Sequence, residues 1–183
     1  VTYWYKYSHE GLDIDLVNDE DSMAGHFLHI LHGKTPSDLH RKVMDVSLVL
    51  YAEHEFNAST FTSRVCASTM SDIHSCVVAA IGSLRGPLHG GANEKAMELI
   101  ENWTSRDEAK EKILSMLANK EKIMGFGHAV YSIRDPRNAV IKEYAEELSK
   151  LAADDSLYQV AEEVEKVMAD EKKMFANADF FHA

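Results

Sequence analysis

The stretch "DPRNAVIKEYAEELSKL", residues 135–151, combines a helix start with a helical apolar pattern. Asp135 is a favoured N-cap residue, and Pro136 suits the first helical position because an N–H there would have no intrahelical partner. Apolar residues then recur at the three- and four-residue spacing of one helix face, at Val140, Ile141, Tyr144 and Leu148. The stretch therefore predicts a helix that begins at Pro136.

Similar signals predict helices along most of the chain and no sheet of any size. Ser22 and Gly33 bound one helix, Ser37 caps another, and the capping boxes Ser105-x-x-Glu108 and Ser156-x-x-Gln159 open two more. The opening residues 1–11 suit either a short extended segment or part of a longer element. We predict an all-α fold, with further helices at about 58–68, 72–84 and 91–103, one reaching about 118, and one running from 156 toward 174.

The composition argues against several functions. The 183 residues carry a formal net charge of −11, which disfavours non-specific binding to nucleic acid. The longest apolar run, "CVVAAIGSL" at 76–84, is too short to span a bilayer. The two cysteines, Cys66 and Cys76, lack metal-ligand spacing and predict a reduced, cytosolic compartment.

The segment "SLRGPLHGGANEKAMELI", residues 83–100, places His89 where a helix begins, between a Gly-Pro turn and two glycines. The spare N–H groups and partial positive charge of a helix N-terminus disfavour imidazolium, so a neutral His89 would be able to donate a hydrogen bond. The alternative is an ordinary loop histidine in a tight turn, because glycine patterns alone are weak signals of a site.

The segment "GFGHAVYSIRDPR", residues 125–137, places His128 after two glycines and Arg137 in the first turn of a predicted helix. A guanidinium at a helix N-terminus is suited to binding a carboxylate, and His128 would then polarise a carbonyl of the same small acid. The alternative is a structural Arg137 that pairs with Asp135 or Glu143.

The segment "YAEHEFNAST", residues 51–60, offers three further polar candidates. His54 continues an apolar stripe, which favours a core histidine over a ligand. Asn57 and Ser59 either orient another group or cap the next helix. His26, His29 and His32 are spaced three residues apart, so that a metal site is conceivable there. Their apolar neighbours favour a packed helix instead.

Together these motifs resemble those of the citrate synthase family. "HEFNAS", "GPLHGGAN", "GFGHAVY" and "DPR" follow one another in the order of that family, and "NAD", residues 177–179, matches its Asn-x-Asp segment after a long helix. The resemblance covers the whole chain and implies the citrate synthase fold. Residues 1–89 would be part of the large helical domain and residues 90–183 the small domain, and relatives would extend beyond both ends.

The resemblance also implies residue roles. Asp179 corresponds to the catalytic base, His89 to the histidine that stabilises the enol, and His128 to the histidine that polarises the carbonyl of oxaloacetate. His54 and Arg137 correspond to two oxaloacetate ligands. Ser59 corresponds to the serine that orients the ring of His89, and Asn57 is a further supporting residue.

Within the family, the segments "YWYKYSHEG", "DEDSMAGHFLHILHGK" and "SLVLYAEHEFNASTFTSRV" most resemble bacterial 2-methylcitrate synthases. The resemblance implies condensation of propanoyl-CoA with oxaloacetate and water to give 2-methylcitrate and CoA, in propanoate catabolism, with no metal or cofactor. Acetyl-CoA as the substrate is an alternative, and an inactive folded fragment is another. The implied full-length enzyme is a cytoplasmic homodimer with interface helices at about 72–85 and 90–103, and it binds neither nucleic acid nor membrane.

Overall fold

Chain contacts divide the protein into two compact units, Val1–His54 and Glu55–Ala183. The computed structural model describes residues 1–52 and 57–183. Within those ranges every regular element is helical, apart from an isolated antiparallel bridge between Phe126 and Ala176, and the all-α prediction is confirmed. No helix in these ranges is both long and apolar enough to cross a membrane. The predicted domain boundary at residue 89 refers to the lobes of longer enzymes and stays a prediction.

The first unit contains short N-terminal helical turns and two longer helices that pack together. An ion pair links the segment before the longer helices to the second of them, because Nε of Arg41 donates to Oε2 of Glu20 at 2.9 Å. The elements are α1 (Thr2–Tyr5), a π-helical turn (Lys6–Glu10), α2 (Met23–His32) and α3 (Asp38–Tyr51).

The second unit contains seven helices in its described part, 57–183, namely α4 (Ala58–Ser68), α5 (Ile73–Leu84), α6 (Gly91–Ile100), α7 (Arg106–Ala118), α8 (Pro136–Leu151), α9 (Ser156–Lys172) and α10 (Ala178–His182). The consecutive helices α4 and α5 pack against each other as a hairpin. Helix α9 contacts α6, α7 and α8, and the short α10 contacts α6 and α8. The last helix is therefore held by the helices that follow the two predicted histidine motifs.

Most of the predicted helix starts are confirmed by side-chain caps. Ser22, Ser37, Ser105 and Asp135 each accept a hydrogen bond from a backbone N–H in the first turn. The capping box predicted at Ser156 is wrong. Asp155 occupies the N-cap without a side-chain cap bond, and Asp154 accepts from the Ser156 N–H instead. The side-chain acceptor at this helix start is therefore Asp154 and not the serine.

The helix ends also differ from prediction in two places. The helix expected to reach 103 ends at Ile100, and the one expected to approach Met174 ends at Lys172, after which Lys173 adopts a left-handed conformation with φ 55°. The opening segment is helical, and within it the Ser8 hydroxyl donates to the Trp4 carbonyl.

The core of the second unit extends to α10. Phe180 is fully buried, and its ring packs 4.6 Å from that of Phe126 between centroids. Gly125 lies against Phe180 with φ +85°, and a Cβ at Gly125 would meet the Phe180 Cβ at 2.9 Å. This position requires glycine both for its positive φ and for the close approach.

Candidate active site

Asp179 lies in the first turn of α10, and two asparagines hold its backbone. Its N–H donates to Oδ1 of Asn177 at 3.0 Å, and its carbonyl oxygen accepts from Nδ2 of Asn93 at 3.2 Å. The neighbours Ala178 and Phe180 are buried, whereas Asp179 is partly exposed. The carboxylate is thus attached to a fixed backbone at a position that solvent reaches.

Asn177 connects this turn to the glycine loop that precedes His128. Its Nδ2 donates to the Gly127 carbonyl at 2.9 Å, and its backbone N–H donates to the Gly125 carbonyl at 2.9 Å. The Gly127 N–H in turn donates to the Phe175 carbonyl at 2.9 Å. These bonds hold the loop beside the segment that leads into Asp179.

The ring of His128 is oriented by its own loop. Its Nδ1 accepts the backbone N–H groups of Val130 at 3.0 Å and Tyr131 at 3.2 Å. Because a nitrogen that accepts these bonds carries no proton, we assign the ring proton to Nε2. The Tyr131 ring packs against His128 with centroids 4.6 Å apart. This arrangement prepares Nε2 as a donor, which is the role that a carbonyl-polarising histidine requires.

Arg137 is held by the carboxylate of Asp135. Oδ1 of Asp135 accepts from the backbone N–H and Nε of Arg137, both at 3.0 Å, and Oδ2 accepts from Nη2 of Arg137 at 2.8 Å. Oδ2 also accepts from the backbone N–H of Ala178 at 3.0 Å. The Asp135 side chain is fully buried, and that of Arg137 is 13% exposed. One carboxylate therefore joins the start of α8 to the residue that precedes Asp179.

The pKa of Asp135 reflects these contacts. Burial raises the pKa of its carboxyl, but the hydrogen bonds from Arg137 and Ala178 and the charge of Arg137 outweigh burial, so the net pKa lies below its ordinary value. The pairing with Asp135 that the sequence allowed as the structural alternative for Arg137 is present. It uses Nε and Nη2 of Arg137, and Nη2 also lies 3.4 Å from Nε2 of His128. The predicted role in oxaloacetate binding stays a prediction.

Ser59 contacts the ring of His89, as predicted for an orienting serine. Its hydroxyl oxygen lies 2.8 Å from Nε2 of His89, and its backbone N–H donates to the same nitrogen at 3.2 Å. We therefore assign Nε2 as an acceptor and the ring proton to Nδ1. Asn57 caps α4 by accepting the Thr60 N–H at 2.8 Å, and its Oδ1 lies 2.7 Å from the Ser59 hydroxyl. Asn57 therefore caps α4, and the Ser59 contact fits an orienting residue, whose role in catalysis stays a prediction.

The turn that carries His89 is tightly packed. The His89 N–H donates to the Gly86 carbonyl at 2.9 Å, and the His89 carbonyl accepts from Ala92 at 2.9 Å. A Cβ at Gly91 would lie 2.3 Å from the carbonyl oxygen of Arg85, which is backbone and cannot yield easily. His89 is therefore fixed relative to the first turn of α6.

The second unit thus links the predicted site residues through a few hydrogen bonds. Asn93 joins the His89 turn to α10, Asn177 joins α10 to the His128 loop, and Asp135 joins Arg137 to α10. The prediction for His54 falls within 53–56, outside the described residues.

Sequence reasoning missed two of these linking contacts and one histidine. Asn93 was noticed only as part of a motif, and Asp135 only as a helix cap and a partner of Arg137. His182 follows Asp179 by three residues, and its Nδ1 lies 3.4 Å from Nδ2 of Asn93. Burial lowers the pKa of His182, opposed by the negative charge of Asp179. An asparagine in the first turn of a helix, where its propensity is poor, was the available signal for Asn93.

Two of the three histidines of α2, His26 and His29, have separate surroundings. His26 Nδ1 lies 3.1 Å from Nδ2 of Asn18, and His29 Nδ1 lies 3.8 Å from Oε1 of Glu20. Across residues 1–52 and 57–183, no group of three or more His, Cys, Asp or Glu side chains is arranged to hold a metal ion.

The sequence profile of the C-terminal domain of citrate synthase matches residues 1–183. The chain belongs to the citrate synthase family. It is 62% identical over its whole length to a 2-methylcitrate synthase from Shewanella oneidensis, and 43% identical over 175 residues, 94% of the chain, to a citrate synthase from Deinococcus radiodurans. It covers 49% of the first protein and 46% of the second, so the chain spans about half the length of these curated relatives.

Solved structures of the family have the same fold. The chain superposes with a TM-score of 0.90 on a citrate synthase from Thermoplasma acidophilum in ternary complex with carboxymethyl coenzyme A and oxaloacetate, at 32% identity over 98% of this chain and 49% of that one. The TM-score with a citrate synthase from Thermotoga maritima is 0.82 at 35% identity, over the same shares of the two chains. The predicted citrate synthase fold is confirmed.

Proposed function

We propose that the full-length protein containing this chain is a 2-methylcitrate synthase, an acyltransferase that condenses propanoyl-CoA with oxaloacetate and water to form 2-methylcitrate and CoA. The observation that carries the proposal is the 62% identity to the Shewanella oneidensis enzyme across all 183 residues, against 43% to the Deinococcus radiodurans citrate synthase. The CoA thioester is a substrate, and the reaction as proposed uses no metal or cofactor.

In the proposed mechanism Asp179 removes a proton from the α-carbon of propanoyl-CoA. A carboxylate is a weak base for such a proton, so the enolate oxygen must be stabilised as it forms. Neutral His89 serves this purpose by donating from Nδ1, while Ser59 occupies its Nε2. The α-carbon then attacks the carbonyl carbon of oxaloacetate.

The same proposal assigns the electrophile to the His128 loop. Nε2–H of His128 donates to the oxaloacetate carbonyl and stabilises the alkoxide that forms on attack. Arg137 and His54 bind oxaloacetate carboxylate groups, and water then cleaves the thioester to release CoA. The contact between Arg137 and His128 at 3.4 Å supports the placement of both residues against one small acid.

An assay of thiol release with oxaloacetate and either propanoyl-CoA or acetyl-CoA tests the proposal in the full-length protein. We expect higher kcat/KM with propanoyl-CoA, and we expect Asp179→Asn and His89→Ala to abolish turnover while the protein stays folded. A preference for acetyl-CoA would favour the alternative, a citrate synthase. A Bacillus subtilis relative, 43% identical over 163 residues, is named as a citrate/2-methylcitrate synthase, so both substrates should be compared.

Activity of the isolated 183-residue chain is a separate question. The resemblance implies that further oxaloacetate-binding arginines belong to parts of the enzyme outside this chain, one of them on a partner subunit. We therefore expect little or no thiol release from the isolated chain under conditions in which the full-length protein turns over. Robust turnover by the isolated chain would contradict this expectation.

We also propose that the full-length protein is a homodimer that uses α5. Its apolar face is largely exposed in this chain, where Ile73, Val78 and Ile81 are 69%, 68% and 56% exposed. Helix α6, which was also expected at the interface, buries Ala92 and Ala96 in the core of the second unit, and its part in the interface stays a prediction. Val78→Glu should convert the full-length dimer to monomer in sedimentation velocity, and an unchanged dimer would exclude this face.

The free thiols of Cys66 and Cys76 support a reducing, cytoplasmic location.

A further inference from the structure

We propose that Asn93 is a positioning residue that sets the separation between His89 and Asp179, the two residues that act on the acyl thioester in the proposed function. The inference rests on that function, and it adds a residue to which no motif assigned a role. It follows from contacts within the described part of the second unit.

Asn93 is rigidly connected to His89. The Gly90 carbonyl accepts from the Asn93 N–H at 3.2 Å, and the His89 carbonyl accepts from Ala92 at 2.9 Å, so one hydrogen-bonded turn contains both residues. The close packing of Gly91 against the Arg85 carbonyl prevents this turn from shifting. A group held by the Asn93 side chain is therefore held relative to the His89 ring.

The group that Asn93 holds is the peptide that follows the Asp179 α-carbon. Its Nδ2 donates to the Asp179 carbonyl oxygen at 3.2 Å, whereas the peptide that precedes this α-carbon is held through the Asp179 N–H by Asn177. Two peptide planes fix the direction in which an α-carbon projects its side chain. Loss of the Asn93 bond would leave the second plane held only through the Phe180 N–H, which donates to the Asn177 carbonyl at the long distance of 3.3 Å, and the carboxylate would shift.

The same amide nitrogen lies 3.4 Å from Nδ1 of His182, at the other end of α10. Its two N–H groups thus reach both the first and the last turn of this five-residue helix. A carboxylate at position 93 would have the right size but no donors, and it would face the Asp179 carbonyl and the charge of Asp179. These demands explain why an uncharged double donor occupies the position despite the low helix propensity of asparagine.

The test uses Asn93→Asp and Asn93→Ala in the full-length enzyme, with Asn102→Ala as the matched control. Asn102 is an exposed asparagine just beyond α6 that likewise donates from Nδ2 to a carbonyl, that of Glu98. Because misplacing a reacting group by about 1 Å can cost about 100-fold, we expect kcat to fall about 10- to 100-fold in both variants. KM for oxaloacetate should stay within about twofold, since Asn93 touches no proposed oxaloacetate ligand.

A deuterium isotope effect separates positioning from general damage. With α-deuterated propanoyl-CoA the isotope effect on kcat should rise in both Asn93 variants, because proton removal by a misplaced base becomes slower relative to later steps. A wild-type kcat with an unchanged isotope effect would overturn the proposal. So would a loss that appears only in KM. If both variants unfold where Asn102→Ala stays folded, Asn93 is a residue of the core and the proposal is wrong.

A second measurement does not depend on activity. In an NMR titration of the 183-residue chain, Asn93→Asp should raise the pKa of His182 above its wild-type value, since a second carboxylate would join that of Asp179 beside the ring. An unchanged pKa would show that residue 93 does not face α10 and would overturn the proposal. If instead the wild-type enzyme condenses neither acyl-CoA, the proposed function fails while this titration still decides the contact.

Discussion

Replacing Asp135 by asparagine in the 183-residue chain should lower the free energy of unfolding of the second unit by about 3–4 kcal/mol. The side chain keeps its size, so the substitution tests the carboxylate and not the packing. Asp135 is fully buried and accepts four hydrogen bonds, three from Arg137 and one from Ala178.

The magnitude follows from the geometry of the four donors. Two of them point to Oδ1 and two to Oδ2, and a carboxamide has only one oxygen. Two donors therefore lose their acceptor whichever way the side chain is turned, at a cost of about 1–3 kcal/mol for each buried group. Removing one member of a buried ion pair costs about 3–5 kcal/mol in total, and we take the lower part of that range because Arg137 is 13% exposed.

Urea denaturation followed by tryptophan fluorescence measures the effect. Trp103 lies in the second unit and Trp4 in the first, so a Trp4→Phe background assigns the signal to the second unit. With a denaturant slope of about 2 kcal/mol per M, the midpoint should fall by about 1.5–2 M.

Asp154→Asn is the matched control. Asp154 is exposed and accepts one backbone hydrogen bond, from Ser156 at 2.8 Å, so its replacement should shift the midpoint far less. If Asp135→Asn shifted the midpoint no more than Asp154→Asn, the buried carboxylate would not hold its four donors in solution, and the link between Arg137 and α10 would be refuted.

Three other perturbations probe the same unit. Folding lowers the pKa of Asp135, so its carboxylate stabilises the folded chain fully above the unfolded pKa of about 4. That stabilisation is lost as the pH falls through the lower folded pKa. The urea midpoint should therefore fall more in wild type than in Asp135→Asn when the pH is lowered from about 6 to about 3. Ser59→Ala in the full-length enzyme should reduce kcat about tenfold, because it removes one hydrogen bond to His89. The control Ser75→Ala removes a hydroxyl that is bonded to Asp72 and should leave kcat unchanged. Equal kcat values for the two variants would exclude an orienting role for Ser59. Gly91→Ala should destabilise the second unit by about 1–3 kcal/mol in thermal unfolding, because the new Cβ would meet the Arg85 carbonyl. Gly82→Ala in α5, where the new Cβ meets open space, should stabilise it by about 0.5–1 kcal/mol. A more stable Gly91→Ala than Gly82→Ala would contradict the packing described for the His89 turn.

Local signals made most of the helices predictable. A cap such as Ser37 or Asp135 bonds to residues two or three positions away, so the sequence contains both partners. The capping box at Ser156 failed for a local reason as well, since the helix begins one residue earlier than the box requires, with Asp155 at the N-cap and Asp154 accepting the Ser156 N–H. Apolar stripes predicted the buried face of α9 well, including Val160 and Val164, although Leu157 at its start is 39% exposed.

The linking contacts of the site were not predictable from one sequence. The bond from Ala178 to Asp135 spans 43 residues, and that from Asn93 to Asp179 spans 86. Neither residue pair has a spacing that any helix or turn imposes. Motifs pointed to the residues with proposed chemical roles, whereas the residues that hold them in place emerge only from the packing of α6 and α8 against α10.

The contact of Gly125 with Phe180 restricts how this part of the sequence can change under directed evolution. A larger residue at 125 would collide with the aromatic ring and would also have to adopt φ +85°, so trimming Phe180 relieves only the first of these obstacles. A smaller residue at 180 therefore cannot compensate for a larger residue at 125. A mutant library that varied these two positions together would therefore lose many members to misfolding.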